Sequence, residues 1–171
     1  MRSRPRKLES EQALYEYALK ALMRRAHSVY EMRRALEERA ADAAHVPPVL
    51  QKLKERNYLD DSRYARQFAR NQSASRRRGR HRITRELRTR GVPDRHIEAA
   101  VSEALADVDE AAQVRKRIEQ KMRSRRGPPD ERRLASLYAS LLRAGFSSDV
   151  IRRELRALSK REVELPEPEE N

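Results

Sequence analysis

The chain has no cysteine and no tryptophan, and only two phenylalanines and four glycines in 171 residues. Without thiols it has no disulfide, thiolate metal site or cysteine nucleophile, a composition suited to a reducing compartment. No apolar run approaches the roughly 20 residues that span a bilayer. The opening Met-Arg-Ser-Arg-Pro-Arg-Lys has no hydrophobic stretch behind it, so neither a membrane segment nor a secretory signal is expected. The default location is the cytoplasm. Catalytic apparatus is missing as well. His27, His45, His81 and His96 show no metal-ligand spacing, there is no nucleophile elbow or glycine-rich phosphate loop, and the glycines read as turn residues. No enzyme activity, cofactor or metal is expected.

What is abundant is positive charge. Forty lysines and arginines face 27 aspartates and glutamates, for a net charge of +13 and a sequence pI near 10.6. Nucleic acid or an acidic protein surface is the partner such a balance suits. Of the 40 cations 33 are arginine, whose guanidinium grips phosphate or carboxylate in a bidentate fork. A GC-rich gene would also enrich arginine, but it would not cluster it between Arg76 and Arg90.

That cluster lies on a helix-turn-helix template. Ile83 and Leu87 stand one helical turn apart, Gly91 offers a left-handed helix end, Pro93 and Asp94 suit a first turn, and Ile97 and Val101 continue the apolar stripe. The same five positions recur at Leu137, Leu141, Gly145, Ile151 and Leu155, and at Met32, Leu36, Ala40, Val46 and Leu50. Successive copies are 51 and 54 residues apart, the size of a three-helix module. The predicted fold is therefore all-α: three tandem three-helix modules forming an elongated, curved repeat protein. The reading divides the chain into a flexible basic arm (1–9), modules at 10–58, 59–106 and 107–160, and an acidic, proline-containing, disordered tail (161–171). Units of about 50 residues bury little surface alone, so neighbours must support one another.

Local signals mark the module boundaries. Ser28 and Glu31 form a capping box ahead of the second helix. Asn57 tolerates the left-handed helix end, Tyr58 and Leu59 are read as apolar plugs between modules, and Asp60 or Asp61 as the cap of the next helix rather than a cation site. Arg76, Arg77, Arg78, Arg80, Arg82, Arg85 and Arg88 crowd one helix and its entrance. Like charges there repel one another and the positive helix end, which becomes favourable when an anion arrives, so these seven are the candidate contacts to nucleic acid. The segment 123–130 adds a second basic loop.

Four motifs in order resemble the RecX regulatory proteins, bacterial modulators of the RecA recombinase. They are Arg25-x-His27-Ser28-x-x-Glu31-x-Arg33-Arg34-x-Leu36, Tyr58-Leu59-Asp60-Asp61-x-Arg63-Tyr64-Ala65, Gly79-x-x-x-Ile83-x-x-Glu86-Leu87-x-x-x-Gly91-Val92, and Gly145-Phe146-Ser147-Ser148-x-Val150-Ile151. Met32, Asn57 and Arg80 depart from the family's usual residues. The resemblance implies a monomer that binds the RecA–DNA nucleoprotein filament and modulates, most simply inhibits, its ATPase, strand-exchange and coprotease activities in DNA repair, recombination and the SOS response. The arginine-rich surface would face single- or double-stranded DNA. The competing reading is a helix-turn-helix DNA-binding protein acting without RecA, for which Thr84 and Thr89 would have to supply base discrimination.

Overall fold

A computed structural model of the chain describes residues 7–75, 78–123 and 130–163, with side chains placed to residue 158. Among the described residues there are nine α-helices and no strand. The helices are α1 (Glu11–Arg24), α2 (Val29–Glu37), α3 (Val46–Glu55), α4 (Asp61–Ala74), α5 (Arg80–Thr89), α6 (Asp94–Ala104), α7 (Glu110–Arg123), α8 (Glu131–Ala144) and α9 (Ser148–Val163). A single 3-10 turn, Ala43–His45, precedes α3.

Helices α1, α2, α4, α7 and α8 start where a short polar side chain replaces a missing backbone acceptor. Ser10 Oγ accepts from Ala13 N at 3.2 Å, and Asp130 Oδ1 from Arg133 N at 2.7 Å. Ser28 and Glu31 form the full reciprocal capping box. In α3, Pro47 and Pro48 take first-turn positions, where a missing N–H costs nothing. Helix ends at Asn57, Gly91 and Gly145 have φ of 56°, 69° and 92°. Each folds the following amide back onto the last turn: Tyr58 N to Leu53 O, Val92 N to Leu87 O, Phe146 N to Leu141 O. Ala40, at the same template position in the first copy, avoids the left-handed region that its Cβ disfavours.

The chain divides into two compact units, Met1–Arg70 with Arg85–Glu103, and Asn71–Thr84 with Ala104–Asn171, so the division runs through α4 and α5. Sequence register marks three repeats; contact marks two bodies. In the first unit α1, α2 and α3 bury Leu14, Ala18, Met32, Leu36, Leu50, Leu53 and Leu59 in one cluster. In the second, α7 and α8 pack on α9 around Val114, Ile118, Leu141, Phe146 and Ile151. Of the template's apolar positions all are buried except Leu155, which is half-buried. Removing a fully buried leucine such as Leu14, Leu36 or Leu53 costs about 2–5 kcal/mol.

One repeat position changes chemistry between copies. Tyr15 on α1 lies under Lys52 Nζ of α3, 4.5 Å from the ring centroid. Fifty-one residues on, Arg66 of α4 faces Glu103 of α6 at 3.4 Å. A cation–π contact and an ion pair thus fasten the first helix of a repeat to its third.

The chain is tied down from Lys7, before the Glu9 end expected for the basic arm. Leu8 N donates to Arg39 O and Ala41 N to Leu8 O, both at 2.8 Å, and Lys7 Nζ donates to Glu38 O at 3.2 Å. Residues 1–6 of the arm, 124–129 of the basic loop and 164–171 of the tail lie outside the described residues.

Candidate nucleic-acid interface

Helix α5 buries Ile83 and Leu87, which turns Arg85 to the opposite pole, with Arg82 and Arg88 on its flanks. The predicted arginines are not equivalent. Arg76 and Arg77 lie outside the described residues. Arg88 is exposed but holds Asp94, Nε to Oδ1 at 2.8 Å, and that hydrogen bond and charge push its pKa up. Arg82 is half-buried and donates to Arg143 O at 3.1 Å. Arg78 is also half-buried, and its N–H donates to Gln72 O at 3.1 Å. Arg80 and Arg85 are exposed, and among the described residues neither side chain makes a hydrogen bond or ion pair. These two are the cations that α5 leaves open to an anion.

The mechanism expected for the helix entrance needs correction. Two amides at the start of α5 are already taken within the chain: Gly79 N donates to Ala144 O at 3.0 Å and His81 N to Gly145 O at 3.1 Å. The negative end of the α8 dipole already faces the positive end of α5, which also offsets the arginine charge gathered there.

The same joint is built in the first unit. Ser28 Oγ, at the start of α2, donates to Arg90 O at 2.6 Å, and Tyr30 packs on Gly91. Ser28 and Gly79 are equivalent template positions, as are Arg39, Arg90 and Ala144. The carbonyl before each template turn thus accepts from an incoming segment three times: Leu8 at Arg39, Ser28 at Arg90, Gly79 at Ala144. Serine hydroxyl and glycine amide do the same work because glycine lets the backbone itself approach.

Around the first joint Glu31 gathers donors. Its Oε1 accepts from Arg90 Nη1 at 2.7 Å, and its Oε2 from Arg25 Nη1 and Ser28 N at 3.1 Å and Tyr64 Oη at 3.3 Å. Burial pushes the Glu31 carboxyl up, but the Arg25 hydrogen bond, the Ser28 amide and the charges of Arg25 and Arg90 outweigh it and hold the group below the usual carboxylate range. The Arg90 guanidinium also lies 5.0 Å from the Phe68 ring centroid. His27, beside the joint, has its pKa lowered by burial and by the Arg25 charge, and its Nδ1 lies 2.9 Å from Arg25 O.

The paired aspartates split their work. Asp60 Oδ1 caps α4, accepting from Ser62 N at 2.8 Å and Arg63 N at 3.0 Å, whereas Asp61 Oδ1 reaches back to Val29 N of α2 at 2.9 Å. Leu59 is a buried plug as expected. Tyr58 is not, being 49% exposed, because the turn at Asn57 carries it outward. Along α4, Arg66 and Arg70 both pair with Glu103, and Arg63 donates to Asn57 O, so that basic row is internally satisfied.

Asp60 gives a pH test. The Arg63 amide, against a burial penalty, lowers its pKa, so its stabilisation is complete above the unfolded value of about 3.9 and disappears as pH falls through the lower folded value. Asp60→Asn keeps a capping oxygen without the titration. The parent should melt above this variant at neutral pH, with the gap closing below about pH 4 in thermal melts; a gap independent of pH would contradict the assignment.

The helices, left-handed turns and repeated joints define a tandem three-helix-repeat protein. Among the described residues there is no helix long and apolar enough to cross a membrane, and no group of three metal-ligating side chains. Residues 15–61 match the family model described as the first three-helix domain of RecX, and residues 60–101 match the second. Regulatory protein RecX of Halorhodospira halophila is 38% identical over 142 residues, covering 82% of this chain and 85% of that one. Its counterpart in Prosthecochloris aestuarii is 35% identical over 131 residues, covering 77% and 83%. A crystal structure of RecX from Lactobacillus salivarius shares the fold, with a TM-score of 0.71 at 20% identity over 88% of this chain and 97% of that one. A second, of regulatory protein RecX, gives 0.69 at 25% identity over 83% and 70%. The chain belongs to the RecX family of regulatory proteins.

Proposed function

We propose that the chain binds the RecA–DNA nucleoprotein filament and restrains its ATP hydrolysis, strand exchange and coprotease activity, with the arginines of α5 facing the DNA. Membership of the RecX family carries this reading. Arg80 and Arg85 support it, since they stay unneutralised while Arg66, Arg70 and Arg88 are paired within the chain. Independent reading of duplex sequence has less behind it. Thr89, one of two candidate discriminators, donates its hydroxyl to Arg85 O at 2.9 Å, and arginine alone reads little beyond guanine.

The test is DNA-dependent ATP hydrolysis by RecA at rising amounts of the chain. The rate should fall at less than one copy per RecA subunit, as a repeat protein bridging several subunits would require. An unchanged rate at equimolar chain would overturn the reading.

A further inference from the structure

The two joints between repeats are closed by different chemistry. At the Gly79–Gly145 joint backbone meets backbone, since a Cβ at residue 79 would lie 2.2 Å from Gly145 O. At the Ser28–Arg90 joint side-chain charge does the closing, and one carboxylate carries it. Glu31 receives Arg25 from the end of α1, Ser28 N from its own helix cap, Tyr64 from α4 and Arg90 from the end of α5, although its side chain is only 16% exposed.

A capping box needs one of these four donors, the Ser28 amide. The other three come from helices on both sides of the boundary between the two matched family domains, residues 15–61 and 60–101. Phe68 supports the Arg90 guanidinium from below, and Asp61 draws the first amide of α2 toward α4. We infer that Glu31 is a coupling residue: its charge, rather than its capping oxygen, makes α2, the start of α4 and the end of α5, all within the first unit, open and close as one cooperative body.

The inference goes beyond the filament reading and does not depend on it. The charge is specified because all four donors compete for two oxygens, and a neutral amide offers a single acceptor oxygen. Glutamine at position 31 can still cap, with its carbonyl toward Ser28 N, but its NH2 then faces the Arg90 guanidinium, donor against donor. Removing one partner from a buried, charge-assisted cluster leaves the others unmatched.

Amide hydrogen exchange on the full-length chain tests this. Glu31→Gln should raise exchange together in the first turns of α2 and α4 and the last turn of α5, by about tenfold or more, while α7 to α9 stay unchanged. Arg90→Gln should reproduce that pattern, and the double variant should add little to either single change. A rise confined to the first turn of α2 would make Glu31 a helix cap only and overturn the inference. So would full additivity of the two substitutions. If Glu31→Gln is too unstable to study, Arg90→Lys keeps the charge and should leave α2 and α4 exchange within about threefold of the parent, against the larger rise in Arg90→Gln.

Discussion

Gly79→Ala is expected to destabilise the protein by about 3 kcal/mol, the upper end of what overpacking usually costs. The added Cβ would meet Gly145 O at 2.2 Å, Gly145 C at 2.4 Å and Phe146 N at 2.6 Å, all backbone atoms that no rotamer change can move. Relief requires parting α5 from α8, which breaks the Gly79–Ala144 and His81–Gly145 hydrogen bonds. Gly145→Ala presses from the other side. Its φ of 92° disfavours any Cβ, and that Cβ would lie 2.4 Å from Arg82 N and Cβ. Gly91→Ala should be costly as well, since its φ of 69° disfavours any Cβ and that Cβ would lie 2.4 Å from Tyr30 Cβ and Cγ, at the base of that side chain. Denaturant midpoints should therefore fall below the parent's for all three variants. A Gly79→Ala variant within 0.5 kcal/mol of the parent, about the error of such measurements, would refute the joint.

The second large effect concerns DNA. Replacing Arg80 and Arg85 together by alanine should reduce the slope of log K against log salt by about 1.8 for duplex, or about 1.4 for single strands, if each touches one phosphate. These two isolate the anion contact because neither supports the fold. Arg82→Ala would lose the hydrogen bond to Arg143 O and confuse binding with stability, and Arg88→Ala would free Asp94. An unchanged slope in the Arg80, Arg85 variant would mean that α5 presents an ordinary solvated face.

Local sequence was enough to read the helix ends. The Ser28–Glu31 box, the left-handed Asn57, Gly91 and Gly145, and the Asp60 cap are all satisfied within four residues of themselves, so neighbouring residues specify them. The five-position template likewise marked buried residues, because burial at helical spacing is a property of the helix itself. What escaped the sequence depends on distant partners. The acceptor of the Ser28 hydroxyl lies 62 residues away, and nothing near Glu31 announces Tyr64 or Arg90. Tyr58 was misplaced because apolar character permits burial without requiring it. The occupied start of α5 did leave a signal. Aligning the copies sets Gly79 on Ser28 and Ala144 on Arg90, so the contact found at the start of α2 recurs in the same register at the start of α5.

The proposed function requires that this RecX-family chain act on the assembled RecA filament rather than compete for DNA. The direct measurement adds it to RecA filaments preformed on DNA with a slowly hydrolysed nucleotide, in excess competitor duplex, and follows co-sedimentation. If the proposal holds, the chain pellets with the filaments despite the competitor. Recovery in the supernatant alone would contradict it and leave plain DNA binding as the better description.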